Sequence, residues 1–155
     1  MKKLSTSVNE TLRIGKVVAR ELCGGEIILL SGSLGAGKTV LAKGIAQGLG
    51  IDKHNVISPT FVLLRVYKGK RFLNHFDFYR VKSPKEILAL GYEEYFYSDC
   101  VTVIEWPERL KFLLPKEFLK IKLSNRRGNQ RMLEFTGRGA RYKQLLKLIH
   151  ENIRH

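Results

Sequence analysis

Residues 32–39 read Gly-Ser-Leu-Gly-Ala-Gly-Lys-Thr and satisfy the whole pattern G-x-x-x-x-G-K-[ST]. Each residue type in that pattern has a physical job. Glycines let the backbone curl so that successive N–H groups converge on phosphate oxygens. Lys38 can reach the β- and γ-phosphates of a nucleotide, and the Thr39 hydroxyl can ligate Mg2+. A helix that opens at such a loop adds its positive dipole end. Gly32, Ser33, Leu34, Gly35, Ala36, Gly37, Lys38, Thr39 and Val40 are therefore expected to wrap a magnesium-bound nucleoside triphosphate. A glycine-rich turn that meets the pattern by chance is the plain alternative. The flanks argue against it: Ile27-Ile28-Leu29-Leu30 has the character of a buried strand, and Val40 to Leu49 has helical spacing.

A triphosphate site also needs an acidic group at a neighbouring strand end to hold the metal or its waters. Glu105, directly after Val101-Thr102-Val103-Ile104, has that place, with Glu where Asp is commoner. A strand-end carboxylate that merely faces solvent is the competing reading. Asp77 lies among aromatics in Asn74-His75-Phe76-Asp77-Phe78-Tyr79-Arg80. Burying a carboxylate there demands a partner. Asp77 can orient an attacking water or a metal-bound one, or pair with Arg80. His75 shares its strand face and ranks below it, because a strand histidine is more often structural. Arg80 can neutralise γ-phosphate charge, or pair with Asp77 or Glu105. Ser58 and Thr60 flank Pro59 and can sense a γ-phosphate as switch loops do, or simply make a turn. Trp106, the single tryptophan, follows Glu105 as core or as a stacking surface for a base.

The elements that must position these residues follow from local pattern. Ser7-Val8-Asn9-Glu10 predicts a capping box, a helix carrying Leu12, Val18, Ala19 and Leu22, and a stop at Gly24-Gly25. A strand over 26–31, the phosphate loop and a helix to about Leu49 come next. Phe61 to Tyr67 and Arg71 to Tyr79 predict an antiparallel hairpin turned at Lys68-Gly69-Lys70. Ser83-Pro84-Lys85-Glu86 predicts a second capped helix ending at Gly91, and Tyr92 to Tyr97 a short helical turn. After the strand Val101–Ile104, two strands, Phe118–Leu123 and Met132–Phe135, flank the basic turn Ser124–Gln130. A last helix runs from Ala140 to about Ile153, with Tyr142, Leu145, Leu146 and Ile149 on one face. The expected architecture is a single α/β domain of the P-loop NTPase type over residues 1–155, its mixed parallel and antiparallel sheet flanked by helices.

Length and composition agree: 155 residues with 44% hydrophobic content suit one domain with a proper core. No apolar run approaches a membrane span, and Met1-Lys2-Lys3 has no hydrophobic region behind it, so a cytoplasmic protein with no membrane partner is expected. Cys23 and Cys100 have no metal-ligand spacing. Net charge is +14, and residues 109–155 alone hold 13 Lys+Arg against 3 Asp+Glu. Such a field favours polyanions, nucleic acid first, although an acidic protein or mere solubility would also account for it.

Taken in order, Gly32–Thr39, Ser58-Pro59-Thr60-Phe61, His75-Phe76-Asp77-Phe78-Tyr79-Arg80 and Ile104-Glu105-Trp106-Pro107-Glu108-Arg109 resemble the TsaE family. Leu90-Gly91-Tyr92-Glu93-Glu94-Tyr95-Phe96 and the N-terminal Glu10-Thr11 with Gly15 are similar too, so the resemblance spans about Ser7 to Pro115. It implies a small P-loop ATPase, weak alone, that uses ATP and Mg2+ and works with the TsaB–TsaD pair. That pair transfers threonylcarbamoyl to adenosine 37 of ANN-decoding tRNAs, and tRNA would be met directly or through the complex. The resemblance implies that Thr39 and Glu105 hold the metal and that Lys38, Asp77 and Glu105 are catalytic. It puts Trp106 beside the nucleotide or tRNA path, and Thr11 and Arg131 on the nucleotide's base and sugar side. Ser33 departs from the family loop, which usually has Asp there. Backbone amides do the cradling, so phosphate binding should survive. A small-molecule P-loop kinase is the alternative, but the chain has no obvious lid insertion. A nucleic-acid-binding module that uses ATP only as a ligand is a second one.

Overall fold

The apolar runs of the sequence become the middle of one sheet. The computed structural model describes residues 1–154. Its strands are β1 (Lys2–Ser5), β2 (Ile27–Ser31), β3 (Leu64–Lys68), β4 (Phe72–Asp77), β5 (Val101–Glu105), β6 (Phe118–Asn125) and β7 (Arg131–Arg138). Its helices are α1 (Val8–Arg20), α2 (Lys38–Gly48), α3 (Pro84–Ala89), α4 (Tyr92–Phe96) and α5 (Ala140–Ile153). Two 3-10 segments, Lys53–Asn55 and Pro107–Leu113, complete the chain. The strands lie in the order β1-β7-β6-β2-β5-β4-β3. β6, β2, β5 and β4 run parallel, and β1, β7 and β3 pair antiparallel outside them. This is the mixed α/β architecture expected from the sequence.

Parallel strands are covered on both faces, so they read as continuous apolar runs. Every residue of β2 and of β5 is buried. Ile28, Leu30, Val101, Val103, Leu119 and Ile121 face one core with α1, α2 and α5. Ile27, Leu29, Phe76 and Ile104 face a second core, under α3, α4 and the segment Pro107–Leu113.

The local signals resolve with some differences. The Ser83 capping box forms in full, with Pro84 opening α3. At α1 only half of the expected box forms: Ser7 Oγ accepts the Glu10 N–H at 3.1 Å. The Glu10 carboxylate reaches one residue further back, because Thr6 offers it both an N–H and a hydroxyl at 2.7 Å. β3 starts later than expected. Leu63 N–H donates to the Pro59 carbonyl at 2.7 Å, and Leu63 takes a left-handed φ of 67°, so residues 60–63 form a turn. β7 extends to Arg138 because its ladder with β6 continues through polar residues to the pair Phe118 and Arg138. β1 was not expected at all. It holds to β7 by its backbone register, and of its side chains only Ser5 is buried.

Helices α1 and α2 meet backbone to backbone. A Cβ on Gly15 would lie 2.7 Å from the Leu41 carbonyl oxygen and 2.8 Å from the Gly44 Cα. A Cβ on Gly44 would collide with the Leu12 carbonyl oxygen. One on Gly48 would strike the Ala19 Cβ and lie 3.0 Å from the Lys16 carbonyl oxygen. Glycine inside a helix costs about 1 kcal/mol relative to alanine. Here that cost is accepted for close approach, and the approach seats the helix that follows the phosphate loop. Gly44→Ala should therefore destabilise the fold by about 1–3 kcal/mol, the usual range for overpacking, although alanine is the better helix former. Urea unfolding of the two proteins checks the sign.

Candidate functional site

The glycine-rich loop leaves the carboxyl end of β2 and enters α2. Gly32, Gly35 and Gly37 all have positive φ, at 144°, 77° and 101°. Gly37 caps α2 in the left-handed region, which an L side chain adopts at a cost. The loop borders a pocket of about 360 Å³ at the carboxyl ends of the parallel strands. Leu34, Gly35, Gly37, Lys38, Thr39 and Val40 form one wall, and Thr60, Asp77, Glu105, Trp106 and Arg131 face them. Tyr79, which the sequence reading did not single out, also lines it and packs against Trp106 with ring centroids 5.0 Å apart.

Two carboxylates sit side by side, because β4 and β5 pair in parallel with Asp77 opposite Glu105. Both are almost fully buried. Thr39 Oγ1 donates to Glu105 Oε1 at 2.9 Å, and His75 Nε2 lies 2.8 Å from Glu105 Oε2. Asp77 Oδ2 accepts from Thr60 Oγ1 at 2.6 Å, and Ser58 Oγ lies 2.7 Å from the same Thr60 oxygen. The Tyr79 N–H donates to Asp77 Oδ1 at 2.9 Å. The expected pairing of Asp77 or Glu105 with Arg80 is not made. Arg80 is exposed and stacks on the Phe61 ring at 4.0 Å.

Lys38 is buried within this group. Its ammonium donates to the carbonyls of Gly32 and Ser33, at 2.8 and 2.7 Å, and lies 4.3 Å from the Trp106 ring centroid. Burial holds its pKa below the ordinary lysine value, against the opposing pull of Glu105, Glu108 and Asp77.

The remaining expected residues lie outside the pocket lining. Ala36 is in the core and Ser33 is exposed. Ser58 reaches the pocket only through Thr60. Thr11 is fully buried, 2.8 Å from Ser5 Oγ, and its Oγ1 accepts from Arg131 Nη1 at 3.5 Å. Arg131 lies on the loop so closely that a Cβ on Gly37 would come within 2.6 Å of its Nε. His75, ranked below Asp77 as a structural histidine, is fully buried, bonded to Glu105 and outside the pocket lining.

Residues 5–133 match the model of a family described as "Threonylcarbamoyl adenosine biosynthesis protein TsaE". The chain belongs to the TsaE family. It is 44% identical over 123 residues to the tRNA threonylcarbamoyladenosine biosynthesis protein TsaE of Treponema pallidum, covering 79% of this chain and 90% of that one. It is 37% identical over 156 residues to the TsaE protein of Bacillus subtilis, covering 99% and 97%. A crystal structure of YdiB from Bacillus subtilis superposes with a TM-score of 0.85 at 34% identity, covering 97% of this chain and 94% of that chain. TsaE proteins take part in tRNA threonylcarbamoyladenosine biosynthesis, and the pathway expected from the motifs is the one these relatives carry.

The buried link from His75 to Glu105 yields a stability test. His75→Leu leaves one carboxylate oxygen without its partner and should cost about 1–3 kcal/mol. Adding Glu105→Gln to His75→Leu should restore part of the loss, because a neutral amide is cheaper to bury. Urea midpoints of the two single variants and the double variant measure the coupling.

Proposed function

We propose that this TsaE-family protein is a Mg2+-dependent ATPase, weak alone, that supports threonylcarbamoyl transfer to tRNA together with the TsaB–TsaD pair. The observation that carries the reading is the hydrogen bond from Thr39 to Glu105 beneath a glycine-rich loop that also holds Lys38. A hydroxyl and a carboxylate are the hard oxygen donors that Mg2+ prefers. Among the described residues no group of three or more His, Cys, Asp or Glu side chains could cage a metal. An ion here would be held through one or two protein oxygens, substrate phosphates and water. The loop amides and the open side of Gly35, where nothing lies within 4 Å of a built Cβ, suit a polyphosphate. Thr39 and Glu105 would hold Mg2+, and the ion would supply charge neutralisation at the β- and γ-phosphates.

The chain's own groups do the rest. Lys38 exchanges the carbonyls of Gly32 and Ser33 for phosphate oxygens and stabilises charge as the bond to the γ-phosphorus breaks. Asp77 already accepts from Thr60 and Tyr79, and a carboxylate retains further acceptor positions for an attacking water. Water attacks the γ-phosphorus, the bridging oxygen leaves with ADP, and the water's proton passes to phosphate or solvent. Trp106 and Tyr79 form an aromatic wall beside the loop. Thr60 ties the loop around Ser58 to Asp77, so a change at the γ-phosphate is transmitted to a surface loop that a partner protein can read. The proposed work on tRNA beside protein partners is what supports a cytoplasmic reading. No helix is long and apolar enough to cross a membrane among the described residues.

The test is ATP hydrolysis by the chain alone and then with the TsaB–TsaD pair and tRNA. Slow turnover alone, raised by the pair, is expected. Lys38→Ala and Glu105→Ala should each lower kcat by about 100-fold or more, the scale of one lost charge-stabilising group. Undiminished hydrolysis in either variant would overturn the site assignment. Phosphate transfer from ATP to nucleosides or small alcohols would instead favour a kinase.

A further inference from the structure

The seven-stranded sheet is covered unevenly. On the face of the second core, α3, α4 and the segment Pro107–Leu113 pack over β2, β4 and β5. Phe118 is the single residue of β6, β7 or β1 in that core among the described residues. α5 does not cover the rest of this face, because Tyr142, Leu145, Ile149 and Ile153 pack into the opposite core. The wing β6-β7-β1 is left with one open face.

Register shows which side chains stand on it. Facing residues in an antiparallel ladder share a face, and side chains alternate along each strand. Phe118 fixes the face, and Arg138 stands opposite it. Lys120 then stands opposite Thr136, and Lys122 opposite Glu134. Lys2 flanks Glu134 from the other side, 3.6 Å away. Lys122 and Arg138 are exposed, and Lys143 at the start of α5 borders the same shallow groove of about 500 Å³. Four cations on three strands thus stand against one carboxylate. The β6–β7 turn extends the row with the exposed Arg126 and Arg127. At about 3.3 Å per residue, Lys120 to Arg126 spans roughly 20 Å. No exposed aromatic stands on this face, so it offers nothing on which unpaired bases could stack.

We propose that the open face of β6-β7-β1 is an RNA-docking surface that binds the phosphate backbone of a structured RNA by charge, without reading sequence. A strip with four cations against one carboxylate suits a backbone of regular charge, and it shares no lining residue with the nucleotide pocket, which its β6–β7 end approaches through the pair Asn125 and Arg131. The choice of RNA as occupant rests on the reading that the protein serves tRNA modification. The geometry of the strip does not depend on that reading.

The experiment uses the full chain and a fluorescein-labelled unmodified tRNA transcript, with anisotropy followed across a salt series. Wild type should bind with a steep salt dependence. The triple variant Lys122→Glu, Arg138→Glu, Lys143→Glu should bind at least about tenfold more weakly at the lowest salt. Its slope of log Kd against log salt should fall by about 2, since each phosphate contact contributes about 0.7–0.9. A control triple, Lys53→Glu, Lys68→Glu, Lys85→Glu, carries the same charge change on exposed sites elsewhere and should lose at most about twofold. ATP hydrolysis should be unchanged in both variants, which also reports that they fold. Equal losses in the two triples would reduce the effect to net charge and overturn the surface. RNA binding that ignores both triples would overturn the surface and leave the tRNA reading standing. Absence of RNA binding by wild type would also overturn it. Displacement of the tRNA by polyglutamate at equal charge concentration would assign the strip to an acidic protein instead. Whether the protein serves tRNA modification at all is settled separately, by measuring the modified adenosine in cells that carry Lys38→Ala.

Discussion

A carboxylate taken out of water must be met by donors, and the structure is organised around meeting one. Glu105 ends the central strand β5 and is almost wholly buried. Its two oxygens are met from two different directions, by Thr39 from the first turn of α2 and by His75 from the middle of β4. The glycine-rich loop, the helix behind it and the strand beside it are therefore tied to one side chain. An unmet buried oxygen costs on the order of 1–3 kcal/mol, a large share of the roughly 5–15 kcal/mol that holds a domain folded. Small displacements of α2 or β4 are thus penalised locally as well as through the core.

That tie needs α2 to be seated closely, and the glycine contact with α1 does the seating. Gly15 and Gly44 place two backbones where any Cβ would strike backbone atoms. The parallel register of β4 with β5 then brings Asp77 beside Glu105, and the buried ammonium of Lys38 offsets two neighbouring negative groups. Thr60 takes the next position outward. Because Thr60 bonds both Ser58 and Asp77, the loop conformation and the Asp77 carboxylate are one mechanical variable. Ser58, Thr60 and Asp77 form one hydrogen-bonded chain from a surface loop to a carboxylate of the pocket.

How much of this was legible in the sequence depends on how local each feature is. Gly32–Thr39 and Glu105 could be read because a strand, a loop and a helix are consecutive, and a strand-end carboxylate is a short pattern. The His75 contact could not be read, because it depends on β4 pairing in parallel with β5 across the intervening α3 and α4. Of the readings open for Arg80, the pairing with Asp77 or Glu105 is not made, because the chain turns after Asp77 and the guanidinium stacks on Phe61. β1 left no hydrophobic pattern, since it is an edge strand held by backbone pairing. Glycines inside helices were visible, but only their mutual approach explains them. Arg131 and Thr11 rested on family resemblance alone. One lines the pocket, and the other lies behind it as the acceptor of that arginine.

The uneven covering of the sheet explains where the charge of the chain is placed. An antiparallel wing with one open face must be polar on that face, but polarity alone does not require one sign. A mixed-charge surface would hydrate as well and would avoid self-repulsion. The wing instead sets Lys2, Lys120, Lys122 and Arg138 against Glu134, with Arg126 and Arg127 at its tip. The pocket follows the opposite logic: Lys38 is matched by Asp77 and Glu105, and each is bonded to a neighbour within the protein. Unmatched charge costs stability within the chain, and its concentration on the uncovered face is what the proposed polyanion would offset.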